Sequence, residues 1–182
     1  LFPYSDVDVL LLVPPGLDTN EALQERISQF ITACWDCGLE IGSSVRTPQE
    51  CAQEAMRDVT IQTAMVESRR VYGSSRLVQQ FLSETSAVMD PASFLRAKTL
   101  EMYQRHLKFE DTPYSLEPNC KESPGGLRDL QVIIWIARAA GLGRTWGELA
   151  ASGLITSFEA RQIERNQATL TTIRAWLHVV AG

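Results

Sequence analysis

The chain opens on an extended apolar stretch and then changes period. Residues 6–13, DVDVLLLV, are a nearly continuous apolar run interrupted only by two aspartates at its start. Bounded by "FPYS" and "PPGLDTN", it predicts a buried strand followed by a loop. Residues 20–37 switch to the helical period, with Leu23, Ile27, Phe30, Ile31, Cys34 and Trp35 on one face and Gly38 as the stop. "LEIGSSVR" (39–46) predicts a short strand. "TPQE" (47–50) predicts a helix start, with Thr47 as N-cap, Pro48 at the first helical position and Glu50 closing a capping box. That helix should run to about Asp58. Residues 60–72 fit both periods; Val66, Val71 and Tyr72 before Gly73 favour a strand over 65–72. Ser74 or Ser75 then opens another helix through Phe81 and Leu82.

From residue 90 the pattern is helical throughout. Asp90-Pro91 caps a long helix to about Phe109. Residues 110–126 form a loop rich in Pro, Gly and Ser, and loops of that length are usually functional or disordered. A strongly apolar helix is expected over 127–141, a shorter one from Thr145, and a last one from Thr156. The layout is α+β over residues 1–88 and all-helical over 89–182, with no internal repeat and no low-complexity tract.

Composition narrows the classes. The chain has 182 residues, 45% hydrophobic and 21% charged, which describes a soluble globular protein with a real core. A net charge of −5 argues against broad binding to nucleic acid or to an anionic membrane surface. No apolar run reaches transmembrane length and no signal peptide is visible, so a cytoplasmic setting is expected. The chain opens at Leu1 and passes straight into a strand, which reads as a piece of a longer protein. Cys34 and Cys37 have the Cys-x-x-Cys spacing, but they fall inside a helical stretch with no preceding strand. Structural thiols are therefore expected at Cys34, Cys37, Cys51 and Cys120. His106 and His178 read as packing or surface residues, too distant from these thiols in sequence to suggest a zinc site.

Asp6 and Asp8 raise the chemical question. Residues two apart in a strand share a face, so the two carboxylates project side by side. Two readings stand open: solvated acids at a strand end, one of them capping a turn, or a carboxylate pair for a divalent cation. Mg²⁺ takes carboxylate and water oxygens and relieves the repulsion between like charges.

Several stretches carry a resemblance. "LFPYSDVDVLLL" is similar to the Ser-Asp-x-Asp segment of the polymerase β-like nucleotidyltransferases. "LEIGSSVRTPQEC", "VESRRVYGSSRL" and "LEPNCKESPGGLRDLQVIIWIAR" resemble the bacterial protein-PII uridylyltransferases, over essentially the whole chain. The most specific element is the K-x-S-P-G-G-L-R-D block, although adenylyltransferases acting on glutamine synthetase carry a similar one. The resemblance implies an incomplete nucleotidyltransferase domain over 1–88 and an associated helical domain over 89–182. It implies transfer of UMP from UTP to a tyrosine of the PII signalling protein, with Mg²⁺ held by Asp6 and Asp8. Metals about 3.5–4 Å apart stabilise both the entering and leaving oxygens of an in-line displacement.

The resemblance also calls for a third carboxylate, and three residues are candidates. Glu67, in "VESR", matches the acid-x-Arg pattern that relatives place on the adjacent strand and is chosen as metal ligand and as base toward the attacking hydroxyl; Glu40 and Asp58 are the others. Nucleotide contacts are expected from Ser5, Arg46, Lys121 and Arg128. Gly125 and Gly126 permit close backbone approach, and the helix start after them should offer free N–H groups to a phosphate; the bland alternative is a turn with Arg128–Asp129 as a packing pair. Ser44 stands where relatives often have histidine and receives no role. The family's glycine-rich triphosphate motif would precede Leu1. Its uridylyl-removing domain and its glutamine-sensing domains would follow residue 182, so this chain alone is expected to be inactive. Alternatives are adenylyl transfer to glutamine synthetase, or a non-catalytic regulatory module of the same fold.

Overall fold

The computed structural model describes residues 2, 5–16, 20–109, 111–112 and 119–181. The chain divides into two compact units, one running to Val88 and the other beginning at Met89.

The first unit opens with β1 (Val7–Leu12), α1 (Glu21–Asp36) and β2 (Ile41–Arg46), and the two strands pair in parallel. Parallel neighbours need a crossover, and α1 is that connection. Asn20 caps α1 by accepting the Leu23 N–H at 3.0 Å, and Gly38, at φ +77°, takes the left-handed turn after it. None of the α1 residues is fully buried, and Phe30 and Trp35 stand exposed at 46% and 58%. The expected apolar stripe is therefore only half covered. Thr47 and Glu50 form the expected capping box at the start of α2 (Pro48–Ala55).

Residues 65–72 depart from expectation. In place of a strand, the chain forms α3 (Val59–Glu67), followed by a bend. Asp58 is the N-cap, accepting the Thr60 N–H at 2.6 Å. Of the residues that pointed to a strand, Val66 is accommodated inside the helix, where another β-branched residue, Thr63, donates its hydroxyl to the Val59 carbonyl at 2.7 Å. Packing decides against propensity here. Met65 of α3, Cys51 of α2 and Phe81 of α4 (Ser75–Ala87) form one core, with Ile61, Leu10 and Leu12 against it. Val71 and Tyr72, read as strand residues, are 82% and 96% exposed.

The second unit contains α5 (Pro91–Lys108), α6 (Leu127–Ala139), α7 (Trp146–Ala151) and α8 (Ser157–Ala181). Ala137, Trp146, Leu149 and Ala160 make its core. Trp146 keeps its indole N–H satisfied by donating to Gln167 Oε1 at 2.7 Å. Between α5 and α6 lies a buried cation, Lys98. Its ammonium sits 5.1 Å from the Trp135 ring centroid and 5.9 Å from that of Phe94, and it reaches Glu101 at 2.6 Å. The stem is buried while the charge is met by π-faces and a carboxylate. Among the described residues no helix is long and apolar enough to cross a membrane.

Candidate functional site

Asp8 belongs to β1 and Asp6 directly precedes it; both are exposed. The face they share continues along β1 through Leu10 and Leu12, which pack against the Cys51–Met65–Phe81 core. One face of one strand thus passes from a packed core to two solvent-facing carboxylates. Anchoring at Leu10 and Leu12 fixes the backbone that carries the acids. Among the described residues, neither carboxylate has a hydrogen-bond or ion-pair partner. Ser5, just before them, is half-buried.

The parallel register pairs Val7 with Ile41 and Asp8 with Gly42. Glu40 directly precedes β2 as Asp6 directly precedes β1, so Glu40 and Asp6 flank the first residue pair of the sheet. Of the three candidate acids, Glu40 alone adjoins a strand. Asp58 is occupied as the N-cap of α3. Glu67 is the last residue of α3 rather than a residue of a strand neighbouring β1, which removes the placement on which its choice rested. Among the described residues no group of three His, Cys, Asp or Glu side chains is gathered to hold a metal ion. What the sheet presents is a pair of carboxylates, a set suited to Mg²⁺, which commonly takes one or two carboxylates and leaves its other positions to water and phosphate.

Arg46 lies at the far end of β2, opposite Leu12. That is four positions from Gly42, roughly 13 Å at the usual strand rise. Its guanidinium is 3.8 Å from Glu54, and its Nη1 atom is buried with no hydrogen-bond partner. Ser44, paired with Leu10, is half-buried between these two ends.

The block around 119–129 has a different character. Asn119 Oδ1 accepts the Lys121 and Glu122 N–H groups, each at 3.0 Å. The N–H groups that open α6 are also used internally. Leu127 donates to the Cys120 carbonyl at 2.9 Å, Arg128 to that of Lys121 at 2.8 Å and Asp129 to that of Gly126 at 3.1 Å. The helix start expected to be free for a phosphate is therefore closed by the protein's own carbonyls. Gly126 makes this closure fit, since a Cβ there would lie 2.8–3.0 Å from the carbonyl oxygens of Ser123, Lys121 and Cys120.

Asp129 is the centre of the block. Its carboxylate accepts the Gly125 N–H at 2.7 Å, contacts His106 Nε2 at 3.0 Å, and pairs with Arg105. Burial pushes this carboxyl up, but the His106, Gly125 and Arg105 contacts outweigh it and hold the group below its ordinary range. Lys121 sits 3.2 Å from Glu122. Arg128 donates to Gln131 at 3.0 Å, lies 3.4 Å from Glu122, and rests over the Trp135 ring at 5.3 Å. Arg105 and His106 are the residues sequence reasoning missed. They come from α5, twenty-four and twenty-three positions before Asp129, and no local pattern links them to it. The cysteines are all free thiols. Burial pushes Cys51 up to about 11, which makes it inert as a nucleophile at neutral pH.

Comparison with known proteins bears on both regions. A family model described as GlnD PII-uridylyltransferase matches residues 93–182. Bifunctional uridylyltransferase/uridylyl-removing enzymes align with all 182 residues: those of Burkholderia orbicola (strain AU 1054) and Burkholderia lata are 58% identical, and that of Cupriavidus pinatubonensis is 57% identical. The chain is similar to the PII-uridylyltransferases along its whole length. It spans about a fifth of those relatives' length, 21% in each case. Identity over the whole chain brings the first unit, with Asp6 and Asp8, into the uridylyltransferase relationship along with the helical unit matched by the family model. No solved structure matches.

Proposed function

We propose that the protein carrying this chain transfers UMP from UTP to a tyrosine of a PII signalling protein, releasing pyrophosphate, and that residues 1–88 contribute part of a polymerase β-like nucleotidyltransferase domain. The observation that carries the proposal is the pair of exposed carboxylates, Asp6 and Asp8, without partners among the described residues, on one face of a core-anchored strand, in a chain 57–58% identical to named uridylyltransferases. Asp6 and Asp8 are the residues to hold Mg²⁺, and Glu40 is the acid whose position supports a third role beside them. Bound there, Mg²⁺ would supply charge neutralisation for the triphosphate and the departing pyrophosphate.

The protein's own part is positional. Leu10 and Leu12 fix the strand, and the strand fixes the direction of both acids. A UTP α-phosphate presented at this end would meet carboxylates already spaced by the pleat, so little reorganisation is required at the moment of transfer. The internally used groups of the 119–129 block support a structural role, joining α5 to α6, for Asp129 and its partners. Lys121 and Arg128 keep their charges within that block. The reading places the reaction in the cytoplasm, where UTP and PII are found together.

The test is labelling of PII protein by the complete protein, with UTP and with ATP, in Mg²⁺. Transfer from UTP, strongly reduced in Asp6→Asn, supports the proposal. Preference for ATP with glutamine synthetase as acceptor would assign the sister reaction. No transfer from either nucleotide would leave a regulatory module.

A further inference from the structure

Gly42 lies inside β2, where glycine weakens a strand relative to alanine. Its backbone does not call for glycine, because its φ lies outside the left-handed region. Burial does not call for it either, since the residue is exposed. What occupies the space of the missing side chain is its register partner. A Cβ built on Gly42 would lie 2.6 Å from Asp8 Oδ1 and 3.8 Å from Asp8 Cγ, with no other heavy atom of the described residues, beyond its chain neighbours, within 4 Å. Among the described residues, the neighbour that the absent methyl would meet is the Asp8 carboxylate.

We infer that Gly42 is a positioning residue for Asp8: the missing side chain leaves room for the Asp8 carboxylate to lie across the face of β2. This rests on the proposed role of Asp8 in holding a divalent cation. A methyl at position 42 leaves the strand pair in place, because the atom it meets is the tip of a short side chain and not backbone. The carboxylate must swing about χ1 or χ2 to another rotamer, and its oxygens then point elsewhere. Geometry at the site changes while the fold does not, and strand propensity moves slightly in favour of the variant.

The experiment compares Gly42→Ala, Asp8→Asn and the double variant in the complete protein. Three quantities are read: Mn²⁺ binding in the presence of a non-hydrolysable UTP analogue, by electron paramagnetic resonance; the Mn²⁺ concentration giving half-maximal transfer; and the melting temperature. Groups that orient metal ligands typically matter by about 10–100-fold in affinity. Gly42→Ala is expected to weaken Mn²⁺ binding and raise the metal requirement by about tenfold, with a melting temperature at or above that of the unaltered protein. In the Asp8→Asn background the added methyl should change nothing further. Unchanged Mn²⁺ binding in Gly42→Ala beside an inactive Asp8→Asn overturns the inference while leaving the proposed function intact. A fall in melting temperature that accompanies the loss also overturns it, by assigning the glycine to packing. Normal transfer and Mn²⁺ binding by Asp8→Asn would remove the proposed site itself.

Discussion

The start of β1 and the 119–129 block look alike in sequence, each a cluster of charged residues beside a structural element that must be rigid. In the structure they use their polar groups in opposite ways. Asp6 and Asp8 face solvent without a partner among the described residues, while Leu10 and Leu12 on the same face hold the strand in its core. In the block, the Gly125 N–H, the first N–H groups of α6, and the side chains of Lys121, Arg128 and Asp129 all bond within the protein. A charged motif with internal partners stabilises a fold, whereas one without them is available to a ligand. What separates the two is where each charge finds its counter-charge.

The largest effect is expected where partners are lacking. Asp8→Asn should lower PII labelling by the complete protein at least roughly a hundredfold, about 3 kcal/mol of barrier. Its melting temperature should hold, since the variant removes an exposed, repelling charge. A parallel loss of activity and stability would erase the contrast between the regions.

Next comes the block, where stability rather than activity should respond. Asp129→Asn weakens a half-buried contact with Arg105, which keeps Glu122 at 3.9 Å, and is expected to destabilise by about 1.5–3 kcal/mol, the range for hydrogen bonds to a charged group. Denaturant unfolding reads this directly. The same carboxyl gives a signed pH effect. Its folded value lies below the ordinary 3.8, so its stabilisation is whole above the unfolded value and is lost as pH falls through the folded one. Acid unfolding should therefore be less steep in Asp129→Asn, and identical acid profiles would place the stabilisation elsewhere.

The smallest effect sharpens the comparison. Among the described residues the Lys121 ammonium pairs with Glu122, and both side chains are partly exposed, so Lys121→Ala should cost no more than about 0.5 kcal/mol. It should leave the apparent KM for UTP unchanged. A raised KM with unaltered stability would return Lys121 to the nucleotide.

Much of the fold is legible locally because capping is local. Asn20, Thr47 with Glu50, Ser74, Asp90 and Thr145 each mark a helix start with side-chain chemistry within three residues. The α3 segment is not legible in that way. Its β-branched residues favour extended backbone, and only Cys51 and Phe81, brought from other helices, give Met65 its buried place. Asp6 and Asp8 are readable because a two-residue spacing on a strand is a geometric statement. Gly42 drew no reading from the sequence, since the meaning of a glycine in that strand appears only once the register sets it beside Asp8. Glu67 illustrates the converse: a motif match carries a residue to a site only if the element beneath it forms.

The central claim is that the start of β1 and β2 is the cation-binding end of this unit. Cleavage of the backbone by radicals from bound Fe²⁺ and peroxide, mapped in the complete protein, tests it directly. The account predicts cuts near residues 6–8 and 40–42, suppressed by excess Mg²⁺ and lost in Asp8→Asn. Mg²⁺-sensitive cuts that survive Asp8→Asn, or that spare both strand starts, would contradict it.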